Sequence, residues 1–118
     1  GELQNEVGAA ALALPVWRTL LRADRIEPDR VSHYAARLAR DPNRREAVTS
    51  AGAIWRMLLE ERNDHAFALL NLGSLAHTER DLGTCRLYWQ RFLDLYPTRP
   101  ECADIRVKLA ELAASARR

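Results

Sequence analysis

Three histidines and two cysteines are the residues of this 118-residue chain best suited to metal or nucleophilic chemistry, and their spacing supports neither. His33, His65 and His77 include no pair four residues apart, and Cys85 and Cys102 form no C-x-x-C motif. The sequence also lacks a G-x-S-x-G nucleophile elbow, a Walker loop and a G-x-G-x-x-G loop. We therefore predict that the chain is not an enzyme and that it uses no metal and no cofactor.

Arginine is the remaining residue type that could bind a ligand, through its positive charge. The 18 basic and 16 acidic residues give a net charge of only +2, but residues 18–45 hold eight arginines against four acids. A net charge of +2 is too small to recruit a polyanion by itself, so a nucleic acid would have to bind this local excess. No run of aromatic residues and no base-reading motif accompanies these arginines. The sequence therefore favours an ordinary charged helix face over an acidic partner or a nucleic acid bound at these arginines.

The composition indicates which elements position these side chains. The chain is 47% hydrophobic and 29% charged, and alanine and leucine far outnumber the β-branched residues. Because β-branched side chains favour strands and alanine and leucine favour helices, we predict an all-helical protein. No apolar stretch reaches the roughly 18 residues that a membrane span needs, so we predict no span. The arginine-rich composition is typical of a bacterial protein and leaves the compartment open.

Proline, glycine and capping residues divide the chain into about seven helices joined by short turns. Pro15 is predicted to end one helix near Leu14 and to begin another, because proline fits a first helical turn better than a helix interior. Asp29 and Asn63-Asp64 are predicted to cap later helices, and Gly83 is predicted to separate two more.

An internal repeat of 34 residues relates these helices. The residues Ala51, Trp55, Leu58 and Asn63 recur 34 positions later as Cys85, Trp89, Phe92 and Pro97. The pair Leu38-Ala39 likewise recurs as Leu72-Gly73. A 34-residue period with small-x-x-x-aromatic spacing in the second helix resembles the tetratricopeptide repeat. The resemblance implies antiparallel helix hairpins that stack into an α-solenoid, with Trp55 and Trp89 buried at equivalent positions between successive hairpins.

The resemblance also implies how the chain is organised. We predict a single tetratricopeptide-like domain over residues 1–118, in which residues 1–29 form N-terminal helices. Residues 30–65 are a degenerate repeat, residues 66–99 are the clear repeat, and residues 100–118 are the capping helix. An irregular helical bundle is the alternative architecture.

Such a fold implies binding rather than catalysis, because stacked hairpins line a concave groove with the first helix of each pair. Helical geometry then turns eight residues toward the groove: His33, Arg37, Arg40, Phe67, Leu70, Asn71, Ser74 and His77. Asn71 occupies the position at which tetratricopeptide domains often use an asparagine to hold a peptide backbone. In the alternative reading, Phe67 and Leu70 pack on the neighbouring repeat and the arginines are merely solvated.

We therefore predict a protein-protein interaction module or scaffold that binds a peptide or partner protein, as part of a larger bacterial protein or assembly. An acidic partner would match the local excess of arginines. Two alternatives remain open. The chain could be a helical repeat that binds nucleic acid through residues 18–45, or a homodimerisation domain. The surface predicted for dimerisation is the apolar side of the N-terminal region, formed by Val7, Ala11, Leu14 and Trp17.

The two cysteines are predicted to remain free thiols. The helix between Cys85 and Tyr96 separates its ends by about 16 Å, whereas a disulfide needs Cα atoms within about 7 Å. We expect Cys85 to be a small core residue and Cys102 to lie nearer the surface.

Overall fold

The computed structural model describes the backbone of residues 2–41 and 43–116 and the side chains of residues 8–41 and 43–115. These residues form six α-helices and no strand, which confirms the all-helical class. The helices are α1 (Glu2–Arg22), α2 (Pro28–Leu38), α3 (Arg45–Glu61), α4 (Ala66–Thr78), α5 (Leu82–Leu95) and α6 (Glu101–Ala116). In the described part of the chain, none of these helices has the length and apolar character that crossing a membrane requires.

Helix α1 continues through Pro15, so the predicted break near Leu14 is wrong and the described residues form six helices rather than seven. Ala10, Leu14, Trp17 and Leu21 pack into one core from both sides of the proline. Their spacing places them on one face of the helix. Burial of this continuous stripe offsets the backbone hydrogen bond lost at the proline, which costs about 3 kcal/mol.

Charged groups fasten the carboxyl end of α1 to α3. The guanidinium of Arg62 donates to the backbone carbonyl of Leu21 at 2.5 Å and to the carboxylate of Asp24 at 2.6 Å. Two ion pairs between the helices, Arg18–Glu60 and Arg22–Glu61, have N–O distances of 2.5 Å. The carbonyl of Leu21 also accepts from the backbone N–H of Asp24 at 3.1 Å, so Arg62 adds a second donor at the end of α1 and fixes that end against α3.

Two predicted helix caps differ from the observed ones. Pro28 is the first residue of α2, so Asp29 lies within the first turn and is not the cap. The N-cap of α4 is His65, and Asn63-Asp64 belong to the preceding turn. A histidine cap was missed because serine, threonine, aspartate and asparagine are the usual N-cap residues.

The turn between α4 and α5 forms at Arg80 rather than at Gly83. Arg80 has a φ of 60°, in the left-handed region. Asp81 is the N-cap of α5 and accepts a hydrogen bond from the backbone N–H of Thr84 at 3.3 Å. Gly83 lies within the first turn of α5, so the prediction that it separates the two helices is wrong.

Two hydrophobic clusters form the interior. The first joins α1, α2, α3 and one side of α4 around Trp55, and the second joins α4, α5 and α6 around Trp89. Leu59 and Tyr88 contact both clusters and make the core continuous. The chain measures 43 × 32 × 20 Å with a radius of gyration of 15.0 Å, larger than the roughly 13.5 Å expected for a compact domain of this length. The molecule is therefore a flattened slab with broad accessible faces.

Trp89 packs directly against Gly73. A Cβ atom added to Gly73 would lie 2.1 Å from Cδ1 and Nε1 of the indole, so α4 and α5 approach as closely as glycine allows. The indole N–H donates to the backbone carbonyl of Leu70 at 3.2 Å. The ring of His77 stacks on the indole with centroids 5.5 Å apart. The side chain of Trp89 thus fixes the distance and rotation between α4 and α5.

Trp55, which lies 34 residues before Trp89, is also buried. Its indole N–H donates to the hydroxyl of the buried Ser32 at 3.3 Å, which joins α3 to α2. The prediction that both tryptophans are core residues is confirmed. The acceptors of the two indole N–H groups differ. The acceptor for Trp55 is a side-chain hydroxyl, and the acceptor for Trp89 is a backbone carbonyl.

Cys85 and Cys102 are free thiols, as predicted, but both are buried. The expectation that Cys102 lies nearer the surface is wrong, because only 1% of the residue is exposed. The thiol of Cys102 donates to the backbone carbonyl of Tyr96 at 3.0 Å, where α6 packs against the second cluster. Burial raises the pKa of the Cys85 thiol, against a smaller opposing effect of Arg86.

The contact between Gly73 and Trp89 predicts opposite effects of two glycine substitutions. Gly73→Ala is expected to destabilise the protein by about 1 to 3 kcal/mol, because the added methyl group meets a buried indole. The matched control is Gly83→Ala, at an exposed helical position with no atom within 4 Å. It is expected to stabilise the protein by about 0.5 to 1 kcal/mol. Urea denaturation measures both, and an unchanged stability of Gly73→Ala would contradict the close packing.

The Cys85 thiol predicts a loss of stability at alkaline pH. Burial raises the pKa of this thiol in the folded chain, whereas the unfolded thiol loses its proton above about pH 8.5. The unfolded state then binds fewer protons, so the free energy of unfolding falls as the pH rises past that value. Cys85→Ala is expected to lose less stability than the wild type between pH 7 and 10. Identical slopes in the two proteins would contradict this prediction.

Candidate functional site

Three of the predicted binding residues, His33, Arg37 and Arg40, line one pocket beside α2 with a volume of about 830 Å³. The pocket is completed by Trp17 from α1 and by Ile26 from the connection between α1 and α2. We term it the basic pocket. Its lining residues are Trp17, Ile26, Arg30, Val31, His33, Tyr34, Ala36, Arg37 and Arg40.

The periodicity of α2 creates this pocket. Val31, Ala35 and Leu38 are buried against the first cluster, at i, i+4 and i+7. Arg30 and Arg37 are seven residues apart and therefore share one exposed face of the helix, beside the buried stripe. The amphipathic pattern of α2 thus determines which side chains are available to a partner.

Aromatic rings form one wall of the basic pocket. The rings of Trp17 and Tyr34 meet edge to face, with centroids 5.2 Å apart and an angle of 66° between their planes. The guanidinium of Arg37 lies 5.2 Å from the centroid of the Tyr34 ring. Such a cation–π contact holds the arginine over the ring and limits its freedom. The pocket therefore combines an aromatic surface with a positioned positive charge.

The positive charge of the basic pocket is not neutralised by the described part of the chain. Arg30, Arg37 and Arg40 form no ion pair with any described residue. Asp29 and Asp41, near the two ends of α2, pair instead with a histidine and an arginine outside the pocket, at 2.8 and 3.4 Å. Three guanidinium groups without a carboxylate partner among the described residues attract an anionic ligand.

Asn71 and Ser74 line a different surface, a groove of about 490 Å³ between α3 and α4. We term it the polar groove, and its lining residues are Ala39, Arg45, Val48, Thr49, Trp55, Asn71, Ser74, Leu75, Thr78 and Glu79. Asn71 is half-buried, and its carboxamide makes no hydrogen bond with another described residue. The hydroxyl of Ser74 donates to the carbonyl of Leu70 at 3.0 Å. The groove therefore presents an unused amide donor and acceptor beside an apolar floor.

The basic pocket and the polar groove adjoin the same end of α2. Ala36, Arg37 and Arg40 belong to the pocket, whereas Ala39 belongs to the groove. Since these residues span about one helical turn, the two surfaces lie on either side of the last turn of α2. One extended ligand can therefore contact both.

The other three predicted residues lie elsewhere on α4. The ring of Phe67 is half-buried, with its centroid 6.1 Å from that of His33 and 5.6 Å from the guanidinium carbon of Arg99. Leu70 packs against the second cluster, and His77 stacks on Trp89. The structure thus brings three predicted residues together in the pocket and two in the groove, and it separates Leu70 and His77 from the pocket.

Sequence reasoning missed Trp17, Arg30 and Tyr34 as pocket residues. Arg30 could have been found, because it precedes Arg37 by two helical turns on the same face. Trp17 could not be placed in the pocket, because the predicted break at Pro15 divides the one continuous helix that carries this residue toward α2.

The buried imidazole of His65 fixes α2 relative to α4. Its Nδ1 accepts a hydrogen bond from the backbone N–H of Ala68 at 3.1 Å, and its Nε2 lies 2.8 Å from the Asp29 carboxylate. This arrangement requires the proton on Nε2, which donates to Asp29. His65 therefore ties the first turn of α2 to the start of α4. Among the described residues, no three histidine, cysteine, aspartate or glutamate side chains come together as a metal site.

The apolar surface predicted for dimerisation is not the one that α1 exposes. Leu14 and Trp17 pack against the first cluster, and the side chain of Val7 lies outside the described residues. The large side chains that α1 exposes are instead Leu12 and Val16, at 80% and 57%. The prediction for Leu14 and Trp17 is therefore corrected.

Comparisons of the chain with protein-family models, with curated proteins and with solved structures find no match.

Proposed function

We propose that this chain is a protein-interaction module that holds an extended segment of a partner protein along α2 and α4. The observation that carries the proposal is the half-buried carboxamide of Asn71 in the polar groove, which forms no hydrogen bond with another described residue. A carboxamide offers both a donor and an acceptor, which matches the alternating N–H and C=O groups of a peptide main chain. The apolar floor beside it, including Val48 and Leu75, can take a side chain of the same segment.

We also propose a tetratricopeptide-like architecture, in which α2–α3 and α4–α5 are stacked hairpins and α6 closes the array. Helix α2 packs mainly on α3, α4 packs mainly on α5, and α3 packs on α4, so consecutive helices are neighbours. The two tryptophans 34 residues apart, Trp55 and Trp89, each lie in the core. In such an array the exposed side of the first helices, α2 and α4, is the binding surface.

Asn71→Ala is expected to weaken peptide binding about five- to tenfold, because it removes hydrogen bonds worth roughly 1 kcal/mol. The ligands are peptides selected from a phage-displayed library of random 12-residue sequences and then synthesised. Fluorescence anisotropy measures their affinity for both proteins. The melting temperature is expected to stay the same, since the amide has no hydrogen-bond partner in the part of the chain that the structure describes.

The matched control is Asn63→Ala, which removes an exposed asparagine from the turn before α4. It is expected to leave peptide affinity unchanged. Failure to select any peptide, or equal affinities for the wild type and Asn71→Ala, would contradict the proposed groove.

A further inference from the structure

The spacing of the arginines in the basic pocket indicates the shape of its ligand. Arg30 and Arg37 are about 10.5 Å apart along the axis of α2, and Arg40 lies in the turn that follows the end of the helix at Leu38. The charges therefore form a row rather than converging on one point. An extended peptide places alternate side chains about 7 Å apart on one side. Such a row can therefore meet several carboxylates of one segment, each at its own arginine.

The contact between Arg37 and Tyr34 favours the binding of a carboxylate at this row of arginines. A guanidinium presents all its N–H donors in its own plane, so a ring held against the group restricts its motion while leaving donors available. Paired N–H donors match the two oxygens of a carboxylate. The absence of an ion pair to Arg30, Arg37 or Arg40 within the described residues leaves these donors for a ligand.

Part of the pocket is apolar. Trp17 and Ile26 are half-buried and line it together with the arginines, His33 and Tyr34. A ligand made only of charged groups would leave Trp17 and Ile26 without a complementary surface, whereas a bulky apolar side chain would cover them.

We propose that the basic pocket recognises an acidic peptide segment in which carboxylates flank a bulky apolar side chain. This inference rests on the proposed function, because it names the chemistry of the partner segment. Carboxylates bind along the row of Arg30, Arg37 and Arg40, and the apolar side chain lies against Trp17 and Ile26. The polar groove holds the main chain of the same segment beyond the last turn of α2.

A single-stranded nucleic acid fits the pocket less well. Binding without sequence preference uses aromatic rings as stacking platforms for bases. The ring of Tyr34 meets the edge of Trp17 and carries the guanidinium of Arg37, so it is engaged within the chain. The two carboxylates of Asp29 and Asp41 near the ends of α2 also interrupt a continuous basic track for phosphates.

Fluorescence anisotropy with a labelled synthetic peptide, Gly-Glu-Glu-Leu-Glu-Glu-Gly, tests the inference. This peptide is expected to bind at least tenfold more tightly than the same peptide with glutamine in place of glutamate. The variant R30Q/R37Q/R40Q is expected to lose at least tenfold in affinity for the acidic peptide. The matched control is R56Q/R80Q/R86Q, which changes the net charge equally at exposed arginines outside the pocket and should change affinity less than twofold. Equal losses in the two variants overturn the inference.

The fluorescence of Trp17 gives a second readout. Trp17 lines the basic pocket, whereas Trp55 lines the polar groove and Trp89 is buried in the core. Addition of the unlabelled acidic peptide is expected to change the tryptophan emission of the wild type, and Trp17→Phe is expected to reduce that change. An undiminished response in Trp17→Phe overturns the placement of the peptide in the pocket.

The outcomes separate this inference from the proposed function. If R30Q/R37Q/R40Q weakens binding of the acidic peptide and Asn71→Ala does not weaken peptide binding, the inference about the basic pocket is supported and the role proposed for the polar groove is overturned. If Asn71→Ala weakens the selected peptides and R30Q/R37Q/R40Q has no effect, the pocket inference is overturned and the proposed function stands. Tighter binding of a 12-nucleotide oligothymidylate at the same salt concentration, lost in R30Q/R37Q/R40Q, overturns the inference in favour of nucleic acid.

Discussion

The packing of Trp89 against Gly73 fixes the helix on which the proposed binding surfaces depend. The indole occupies the space that any side chain at position 73 would need, and its N–H satisfies the carbonyl of Leu70. Rotation of α4 is therefore set by a large rigid ring rather than by interchangeable aliphatic contacts. With Gly73 turned inward, Asn71 and Ser74 line the groove toward α3. A substitution at this contact would shift the polar groove without changing any of the residues that line it.

His65 extends this constraint from α4 to α2. As the cap of one helix and the hydrogen-bond partner of Asp29 in the other, it sets where the arginines of α2 stand relative to Asn71. Arg62 similarly holds the end of α1, and with it Trp17, against the rest of the fold. The basic pocket and the polar groove thus depend on a few polar contacts between helix ends, while the apolar clusters supply most of the stabilisation.

The sequence predicts those features that depend on local periodicity. The helical class, the buried Trp55 and Trp89 and the span of α6 follow from composition and spacing. Features that depend on tertiary contacts cannot be predicted from composition and spacing. Pro15 remains inside α1 because residues on both sides of it meet one core. His65 acts as a cap because Asp29 orients its ring from another helix. For the candidate site, the exposed face of α2 could be derived from its period, whereas the packing of Leu70 and His77 on Trp89 requires the fold.

The central claim is that a partner segment lies along α2 and α4, and backbone amide chemical shifts test it most directly. Addition of the unlabelled peptide Gly-Glu-Glu-Leu-Glu-Glu-Gly to isotopically labelled protein is predicted to shift the amides of α2 and of α4 around Asn71. The amides on the outer side of α5, around Leu87, are predicted to stay in place. The largest shifts in α5, or at the exposed Leu12 and Val16 of α1, would contradict the account.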